Sequence, residues 1–453
     1  MKNKTGPIHG ANVIVIGGGA SGLMAAGRAA QKGARVLLLE KTDSAGKKIL
    51  VSGKTRCNLT NTADLDTFIS MYGTNGRFLH NTFSRFFRPE LINFFHQYGL
   101  PTKVERGGRI FPVSDNAGDV LRIMQKFLSE HQVHTIFNAG VNKVLFDAVT
   151  CFTVQTAGGN YSAPVVIVAT GGASWPGTGS TGDGYRISET LGHTIVKPRP
   201  SLVPLIVRED KLAKSMQGVS LRNVRATAFQ GEASMVDADL VPSCNYGRGE
   251  KKTPRPPLIE SRFGEMLFTH FGLGGPIILL MSLAVVDALE NGTVSVLIDL
   301  KPALTKDQLK KRLQNDLNSH SKKRMPGILK EYLPAKMIDP FMVLAGIGQW
   351  KQAHQITSPE RNQIVDLLKA LRFNVKAPLP LNKAIVTAGG VALDEIDPRT
   401  MASKKCPGLY FCGEVMDIDA DTGGYNLQAA FSTGFVAGES AASFVNSQSG
   451  SSI

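Results

Sequence analysis

The chain has 453 residues and a formal net charge of +14 from 51 Lys and Arg against 37 Asp and Glu. At about 150 residues per domain, this length predicts roughly three lobes and excludes a single small module. A composition of 42% hydrophobic and 19% charged residues excludes disordered, collagen-like and coiled-coil classes. The 47 glycines exceed the average share of about 7%, which indicates backbone that approaches a ligand closely or forms many tight turns.

The five cysteines include no CxxC pair and no Cys/His run at zinc spacing. The sequence therefore predicts neither a disulfide framework nor a metal site, and a reducing cytoplasm is the expected location. The N-terminal segment lacks a clear cleavage site, so we expect no signal peptide. The most apolar later stretch, residues 274–289, is shorter than a membrane span and contains Asp287, which predicts a buried helix and no membrane association.

Residues 12–40 read as strand, glycine turn, helix and strand, which is a βαβ unit. The turn matches GxGxxG, in which Gly17 permits the tight turn, Gly19 lets backbone touch a pyrophosphate and Gly22 permits close packing of helix on strand. The second strand ends at Glu40, where a carboxylate can accept hydrogen bonds from an adenosine ribose. The segment therefore predicts a dinucleotide site.

The next part of the chain is predicted to be mostly helical from 68 to 128, interrupted by a loop or short hairpin at 107–115. Residues 134–170 have strand patterning, which predicts a small meander returning to a buried strand. A second formal GxGxxG, at 177–182, follows no strand directly. We therefore expect no second nucleotide site there.

After Pro200 the glycine-rich strand and helix segments give way to short strands, a proline-rich stretch and helices. Glycine-rich segments occur again from about residue 381 onward. The first domain is therefore predicted to be discontinuous, made from 1–200 and 381–453, with 201–380 as an insert. Within the insert we expect a proline-rich surface loop at 242–260. One helix of the insert is predicted to begin with a Thr305/Gln308 capping box and to bury Leu309, Leu313 and Leu317. A second helix is predicted to have Ser358 as its cap and Pro359 at its first position, and to bury Ile364, Leu367, Leu368 and Leu371.

Half of the net charge is local. Lys301 to Lys330 contains nine basic and two acidic residues. Such a segment is able to hold RNA phosphates or an anionic substrate, and an ordinary solvated helix face is the alternative.

Three later segments favour a flavin as the dinucleotide. The strand and glycines of 165–172 resemble the closing segment of two-part FAD domains, and Gly413-Glu414 follows another apolar strand. Residues 422–426 open the last helix, whose N-terminal amides suit the charge that develops on a reduced flavin.

These segments together resemble the bacterial FAD-dependent flavoproteins grouped as aminoacetone-oxidase-like and bile-acid-reductase-like, which include a ribosomal-RNA dihydrouridine synthase. The resemblance covers nearly the whole chain and implies an α/β fold. Its parts are a Rossmann-like, glutathione-reductase-like FAD domain in two pieces and an inserted β-barrel-like and helical domain, with the flavin at their junction. The family loop usually reads SGGGRCN or SGNGRCN. The corresponding residues 52–58 of this chain read SGKTRCN, so Lys54 stands where the family has glycine or asparagine. The matching segments are KILVSGKTRCNLTN, GGRIFPVS, ATGGASWPGTGSTGDGY, LFTHFGLGGP, TAGGV and GLYFCGEVMDIDADTGGYNLQAA.

The resemblance also implies which residues contact the cofactor. Beyond Gly17, Gly19, Gly22, Glu40, Gly413 and Glu414, they are Ala20, Ser21, Lys41, Lys48, Arg56, Cys57, Asn58, Val141, Thr170, Gly171, Gly424, Tyr425, Asn426 and Leu427.

Three residues are catalytic candidates, each with a simpler alternative. His270 lies in a segment that the resemblance places near the flavin, where it would serve as general acid or anion clamp, or it is an ordinary loop histidine. Cys57 is either a proton donor to carbon or a structural residue beside the FAD. Arg109 is either a clamp for a carboxylate or phosphate of the substrate or a member of a surface salt bridge. Cys412 lies in an apolar strand and is expected in the core.

The expected function is an FAD-dependent oxidoreductase that takes a hydride from transiently held NAD(P)H and passes it to an activated C=C bond. A uracil ring in ribosomal RNA is the leading substrate. The alternatives are a small-molecule oxidase or enone reductase acting on an amine, amino ketone or steroid-like substrate, and a non-catalytic RNA- or ribosome-binding protein that retains FAD.

Overall fold

The computed structural model describes residues 10–147, 151–236 and 257–450. The chain divides into two compact units, of which the first comprises Met1–Arg199 with Ile385–Ile453 and the second comprises Pro200–Ala384. None of the helices in the described ranges is long and apolar enough to cross a membrane.

The first part of the first unit alternates strands and helices. Its elements are β1 (Val13–Ile16), α1 (Ala20–Gln31), β2 (Val36–Leu39), α2 (Lys47–Val51), β3 (Thr60–Asn61), α3 (Leu65–Ser70), α4 (His80–Arg85), α5 (Arg88–Gln97), β4 (Thr102–Glu105), β5 (Arg109–Pro112), α6 (Ala117–Glu130), β6 (His134–Ile136), β7 (Val141–Asp147), β8 (Cys151–Thr156), β9 (Gly159–Ala163), β10 (Val165–Val168) and α7 (Asp183–Thr190).

Strand β11 (Ile195–Ser201) leads into the second unit, and the chain later returns to the first. The second unit contains β12 (Leu205–Val207), α8 (Asp210–Ser215), β13 (Ser220–Gln230), β14 (Leu258–Phe268), β15 (Gly272–Gly274), α9 (Pro276–Leu289), β16 (Val294–Asp299), α10 (Lys306–Ser319), α11 (Met325–Leu329), α12 (Ala335–Leu344), α13 (Ser358–Lys369) and β17 (Leu371–Pro378). The first unit is completed by β18 (Val386–Val391), β19 (Leu409–Phe411) and α14 (Tyr425–Gly450).

The core of the first unit is a five-stranded sheet in the order β19-β10-β1-β2-β6, and all four strand pairs are parallel. Every residue of β1, β2 and β10 is buried, as expected for a parallel sheet that is covered on both faces. Since parallel strands end at one edge, the segments that follow β1, β2, β10 and β19 meet there. The predicted βαβ unit is confirmed.

The meander is shorter than the sequence suggested. Strand β6 pairs in parallel with β2, and only β7, β8 and β9 form the antiparallel meander. The prediction was wrong for β6 because its three residues are too short to show whether their partner is local or distant. The interruption near residue 110 is the β4–β5 hairpin, extended by β3.

Helices α1 and α14 pack at backbone distance because glycines remove the side chains between them. A Cβ atom at Gly434 would lie 2.3 Å from the Ser21 carbonyl oxygen, and one at Gly438 would lie 2.3 Å from that of Ala25. Both distances are far below a van der Waals contact. Glycine spacing of four residues thus determines how α14 crosses α1.

The second unit is a closed barrel in the order β12-β15-β14-β13-β16-β17, accompanied by helices. Helix α9 occupies most of the apolar stretch for which a buried helix was predicted, and one side of it is buried, at Ile277, Ile278, Met281, Ser282, Val285, Val286 and Ala288. Helix α10 has the predicted Thr305/Gln308 capping box and buries Leu309, Leu313 and Leu317.

The prediction for α13 needs correction. Thr357, not Ser358, is the N-cap, because its side chain accepts a hydrogen bond from the Glu360 amide. Ile364, Leu367 and Leu368 are buried in the helix, whereas Leu371 is buried in β17. Most of the predicted proline-rich loop lies outside the described residues, and residues 258–260 belong to β14.

We expect Gly438→Ala to lower the stability of the first unit. Overpacking costs about 1–3 kcal/mol, which exceeds the roughly 1 kcal/mol that alanine gains over glycine in a helix. Thermal unfolding measures the difference. Gly177→Ala is the control, because nothing lies within 4 Å of a Cβ there. Equal or higher stability of Gly438→Ala would contradict the close approach of α1 and α14.

Candidate functional site

The glycine turn between β1 and α1 separates glycines that packing requires from one that it does not. Gly17 has φ +104°, and a Cβ there would lie 2.6 Å from the Ala169 carbonyl oxygen. A Cβ at Gly22 would lie 1.9 Å from the Gly17 carbonyl oxygen. At Gly19, by contrast, no protein atom lies within 4 Å of a Cβ, and φ is an ordinary −78°. The protein itself gives no reason for glycine at this position.

Gly19 is the N-cap of α1 and makes no side-chain cap hydrogen bond. The N-terminus of a helix presents backbone N–H donors and the positive end of its dipole, which favours anions. An open cradle at a helix N-terminus therefore suits the pyrophosphate of a dinucleotide.

Glu40 is held in place by backbone amides. Its side chain is 8% exposed, Oε2 accepts a hydrogen bond from the Gly18 amide at 2.7 Å, and Oε1 accepts one from the Thr42 amide at 2.8 Å. Each carboxylate oxygen has a second lone pair. The arrangement fixes the carboxylate at the end of β2 and leaves capacity for ribose hydroxyls.

The second GxGxxG segment lies close to Glu40. A Cβ at Gly179 would be 3.8 Å from Glu40 Oε1, and the Lys41 ammonium contacts Thr181 Oγ1 at 2.5 Å and Asp183 Oδ2 at 2.6 Å. This segment opens α7 but follows no strand directly. It forms part of the surroundings of Glu40 rather than a second strand-turn-helix unit.

A partly buried polar network joins four separate segments of the first unit. The Lys48 ammonium lies 2.6 Å from Glu414 Oε2 and 2.8 Å from Ser174 Oγ. Glu414 Oε1 accepts hydrogen bonds from Ser174 Oγ at 3.0 Å and from the Thr387 amide at 2.8 Å. Thr387 Oγ1 in turn accepts bonds from the Ala173 and Ser174 amides.

Sequence reasoning named Lys48 and Glu414 separately and missed Ser174 and Thr387. Both missed residues lie in segments that carried the family resemblance, GGASWP and TAGGV. That signal was available, but only the fold shows that these segments meet at one carboxylate.

The start of α14 is also set by glycine. A Cβ at Gly424, where φ is +101°, would lie 2.4 Å from the Thr60 carbonyl oxygen. The Tyr425 ring packs edge-on against Phe68 with centroids 4.7 Å apart. The Asn426 side chain makes two hydrogen bonds to the Ala420 backbone. Its Oδ1 accepts from the Ala420 amide at 3.0 Å, and its Nδ2 donates to the Ala420 carbonyl oxygen at 2.8 Å. The first residues of α14 therefore offer a ligand their backbone rather than these side chains.

Two buried oxygens in and just before β3 have no hydrogen-bond partner within the described chain, Thr60 Oγ1 and Asn58 Oδ1. Leaving a buried polar group unsatisfied costs about 1–3 kcal/mol. A bound polar ligand would remove this cost. The two oxygens and the cradle at Gly19 are the observations that fit a dinucleotide cofactor.

The loop with the departure at Lys54 takes a left-handed path. Lys54 has φ +56° and Thr55 φ +67°, and both side chains are exposed. Arg56 pairs with Glu105 at 2.8 Å and lies over the Phe111 ring, 4.2 Å from its centroid. The loop thus accommodates Lys54 by directing its side chain to solvent.

The remaining predicted cofactor residues lie at the carboxyl edge of the sheet or beside it. Ala20 and Leu427 are half-buried, and Val141 is buried at the start of β7.

Three of these residues make hydrogen bonds or close polar contacts. Ser21 Oγ donates to the Cys412 carbonyl oxygen at 3.3 Å. Thr170 Oγ1 lies 3.4 Å from the Gly171 carbonyl oxygen. Gly413 has φ +76° and donates its amide to Thr433 Oγ1.

The three catalytic candidates have different surroundings. Cys57 is fully buried, and burial raises the pKa of its thiol to about 12, which favours the structural alternative. Arg109 donates Nε to the Arg106 carbonyl oxygen at 3.0 Å and has no ion pair with a described carboxylate. His270 is exposed in the turn between β14 and β15 of the second unit, beside Phe271. Cys412 is buried, as predicted.

The basic segment does not form one uniform helix face. Lys306 pairs with Asp366 at 2.9 Å, and Arg312 lies over the Tyr332 ring. Burial and then the charge of Arg312 lower the pKa of Lys301, which lines a cavity of about 250 Å³ with Arg222 and Tyr332. In the described part of the chain, no group of three or more His, Cys, Asp or Glu side chains is placed to hold a metal ion.

Comparison with known proteins identifies the family. A family model described as "HI0933-like protein Rossmann domain" matches residues 11–440. The chain belongs to the HI0933-like family. A relative from Clostridium scindens, named 3-dehydro-bile acid delta(4,6)-reductase, is 31% identical, over 94% of this chain and 98% of its own length. Ribosomal RNA dihydrouridine synthases from Haemophilus influenzae and Escherichia coli are each 29% identical, over 93% of this chain and 96% of their own length.

Three predictions are confirmed by this membership and by the fold. The family grouping is the one that the motifs indicated, since the chain matches the HI0933-like model and is similar to proteins named as a bile-acid reductase and as ribosomal RNA dihydrouridine synthases. The fold is α/β, with a Rossmann-type parallel sheet, a closed barrel and helices. The chain is an oxidoreductase of this HI0933-like flavoprotein family.

The cysteines provide a test of the site. The thiolate is the reactive form, so a thiol whose pKa is raised to about 12 stays protonated and unreactive at about pH 8. We expect Cys57 and Cys412, both buried with a pKa of about 12, to resist alkylation in the folded protein. Among the four cysteines that the structure describes, the partly exposed Cys151 should react first. Peptide mass spectrometry before and after unfolding measures the order. Rapid labelling of native Cys57 would contradict its burial and favour the catalytic alternative.

Proposed function

We propose that the chain is an FAD-dependent reductase that delivers a hydride to a C=C bond conjugated with a carbonyl group. The observation that carries the proposal is similarity over at least 93% of the chain to enzymes whose names describe such reductions. A delta(4,6)-reductase of a 3-dehydro compound removes ring unsaturation, and dihydrouridine has two more hydrogens than uridine. In this proposal, each reduction would add a hydride and a proton across a C=C bond that is conjugated with a carbonyl group.

FAD is the cofactor that the first unit fits best. In this proposal, the domain made from residues 1–200 and 381–453 holds the cofactor, and the insert, residues 201–380, binds the substrate. The α1 N-terminus at Gly19 would hold the pyrophosphate and Glu40 the ribose. The Lys48–Glu414 pair would face the ribityl chain or pyrophosphate, and the α14 amides from Gly424 onward would face the flavin. FAD, when bound, supplies a carrier that accepts and releases a hydride.

The chain's own residues have the task of orienting the acceptor and supplying the proton. His270 and Arg109 remain the candidates for proton donor and anion clamp, because both are polar groups without a described carboxylate partner. NAD(P)H, held transiently, is the proposed hydride source, and the cytoplasm is the proposed location.

Uridine in ribosomal RNA is the substrate we propose. It is supported by the two dihydrouridine synthases among the relatives. It is also supported by the cations of residues 301–330, several of which, such as Lys322, Lys323 and Arg324, form no ion pair with a carboxylate in the described ranges. A second candidate is a small cyclic enone, which the 31% identity to the bile-acid reductase favours. The two candidates share the bond chemistry and differ in the size of the molecule that carries the bond.

Gly19→Val tests the cofactor assignment. We expect the variant to fold, because nothing lies within 4 Å of the new Cβ, and to be purified without flavin, because the side chain occupies the pyrophosphate position. Flavin absorbance relative to protein concentration is the measurement. Gly348→Val is the matched control, since its Cβ also meets open space but lies in the second unit. A Gly19→Val protein with full flavin content would refute the assignment.

Dihydrouridine formation tests the substrate. A host whose ribosomal RNA lacks dihydrouridine would express this chain, and nucleoside mass spectrometry would follow. We expect dihydrouridine to appear with the unmodified protein and not with Gly19→Val. Its absence, in cells where the purified protein carries flavin, would overturn the RNA assignment and transfer support to the enone. Reoxidation of the reduced flavin by cyclic enones would then identify the acceptor.

A further inference from the structure

Two loops of the second unit are joined by backbone hydrogen bonds beside the basic segment. The Met325 amide donates to the Lys351 carbonyl oxygen at 3.0 Å, and the Ala353 amide donates to the Lys323 carbonyl oxygen at 3.0 Å. Between them, Arg324 and Gln352 form an isolated antiparallel bridge. This pairing brings the end of the basic segment next to residues 350–353.

The pairing places an exposed tryptophan beside the basic segment. Trp350 is 72% exposed, and the Arg324 guanidinium lies 4.3 Å from the centroid of its ring. A cation over an aromatic ring is attracted by the ring electrons and holds the ring in place. The result is a flat aromatic surface that extends into solvent with a planar guanidinium against it.

The charge around this ring is positive. Lys322, Lys323 and Arg324 are exposed, and none of the three forms an ion pair with a described carboxylate. The nearby Glu360 is already occupied by Lys351, at 2.6 Å. The surface therefore combines three uncompensated cations with one exposed aromatic ring.

We propose that Lys322, Lys323, Arg324 and Trp350, here called the tryptophan platform, bind single-stranded RNA. Single-stranded nucleic acids are held by bases stacked on aromatic rings or guanidinium planes and by cations along the phosphates. One base stacks on Trp350, and Lys322 and Lys323 contact the adjoining phosphates. The platform deepens the proposed function, because it docks the RNA whose uridine is reduced.

An anionic membrane surface also attracts cations and tryptophan. RNA is favoured because the Arg324 guanidinium lies over the ring, 4.3 Å from its centroid. A base is able to stack on the other face of this exposed ring or on the guanidinium plane, whereas entry of the ring into lipid together with its charged partner is costly.

The chain has two tryptophans, so Trp175→Phe leaves Trp350 as the only tryptophan reporter. We expect oligouridylate to quench the Trp350 emission of this flavin-containing protein as base stacking occurs. In anisotropy titrations of labelled oligouridylate, Trp350→Ala should weaken binding about tenfold. Trp350→Phe should lose less, because a smaller ring remains. Lys322→Glu with Lys323→Glu should weaken binding at low salt and reduce its salt dependence.

Val343→Ala is the control, because Val343 is 78% exposed, apolar and uncharged, and its change should leave RNA affinity unaltered. Absence of quenching together with unaltered affinity of Trp350→Ala would overturn the proposal. Quenching by vesicles containing phosphatidylserine, but not by oligouridylate, would overturn it in favour of a membrane.

Failure of the platform and failure of the reductase assignment are separable. If the unmodified protein forms dihydrouridine and Trp350→Ala binds RNA equally well, the platform proposal alone is wrong. If oligouridylate binds with the predicted losses but no dihydrouridine forms, the platform is supported and the reduction of RNA is refuted.

Discussion

The close approach of α1 to β1 is the constraint on which the rest of the first unit depends. Gly22 lacks the Cβ that would lie 1.9 Å from the Gly17 carbonyl oxygen, so the helix starts directly against the end of the strand. This places the helix N-terminus at the carboxyl edge of the parallel sheet. The Gly18 amide then binds Glu40 at 2.7 Å, which ties the turn to the end of β2. Helix, turn and carboxylate therefore form one preorganised unit.

The glycines of this turn are required for different reasons. Gly17 and Gly22 are required by neighbouring backbone, whereas Gly19 faces open space. A glycine without a packing reason at a helix N-terminus is best explained by a ligand that approaches the backbone there. Asn58 and Thr60 add the same kind of argument, because each has a buried oxygen without a described partner. The open space at Gly19 and the two oxygens without a described partner therefore help to locate the site, together with the side chains that surround it.

The chemistry proposed for this site requires few reactive side chains. A hydride carrier supplies the reactive electrons, so the protein mainly orients the acceptor and provides a proton. This is consistent with the similarity of the chain, over at least 93% of its length, both to a relative named for a bile acid and to one named for ribosomal RNA. Under the proposed function, the reacting bond is the same in kind, and the surface that binds the molecule carrying it is free to differ. The tryptophan platform lies outside the glycine-rich segments and belongs to such a capture surface.

The sequence by itself determined the βαβ unit, its glycine turn, the position of the apolar helix α9 and the family, because each depends on local spacing or on motifs that are contiguous in the chain. Only the tertiary structure decided which distant residues share a partner. The Lys48–Glu414 network includes Thr387 because the Thr387 amide bonds Glu414 and its hydroxyl oxygen accepts bonds from the Ala173 and Ser174 amides, all distant in the chain. Trp350 joins the basic segment because two loops exchange backbone hydrogen bonds. Strand β6 is too short for its pattern to reveal a distant partner. The spacing of apolar residues and glycines along the chain predicts the local backbone conformation. Pairing between distant segments depends instead on burial and hydrogen bonding within the folded protein.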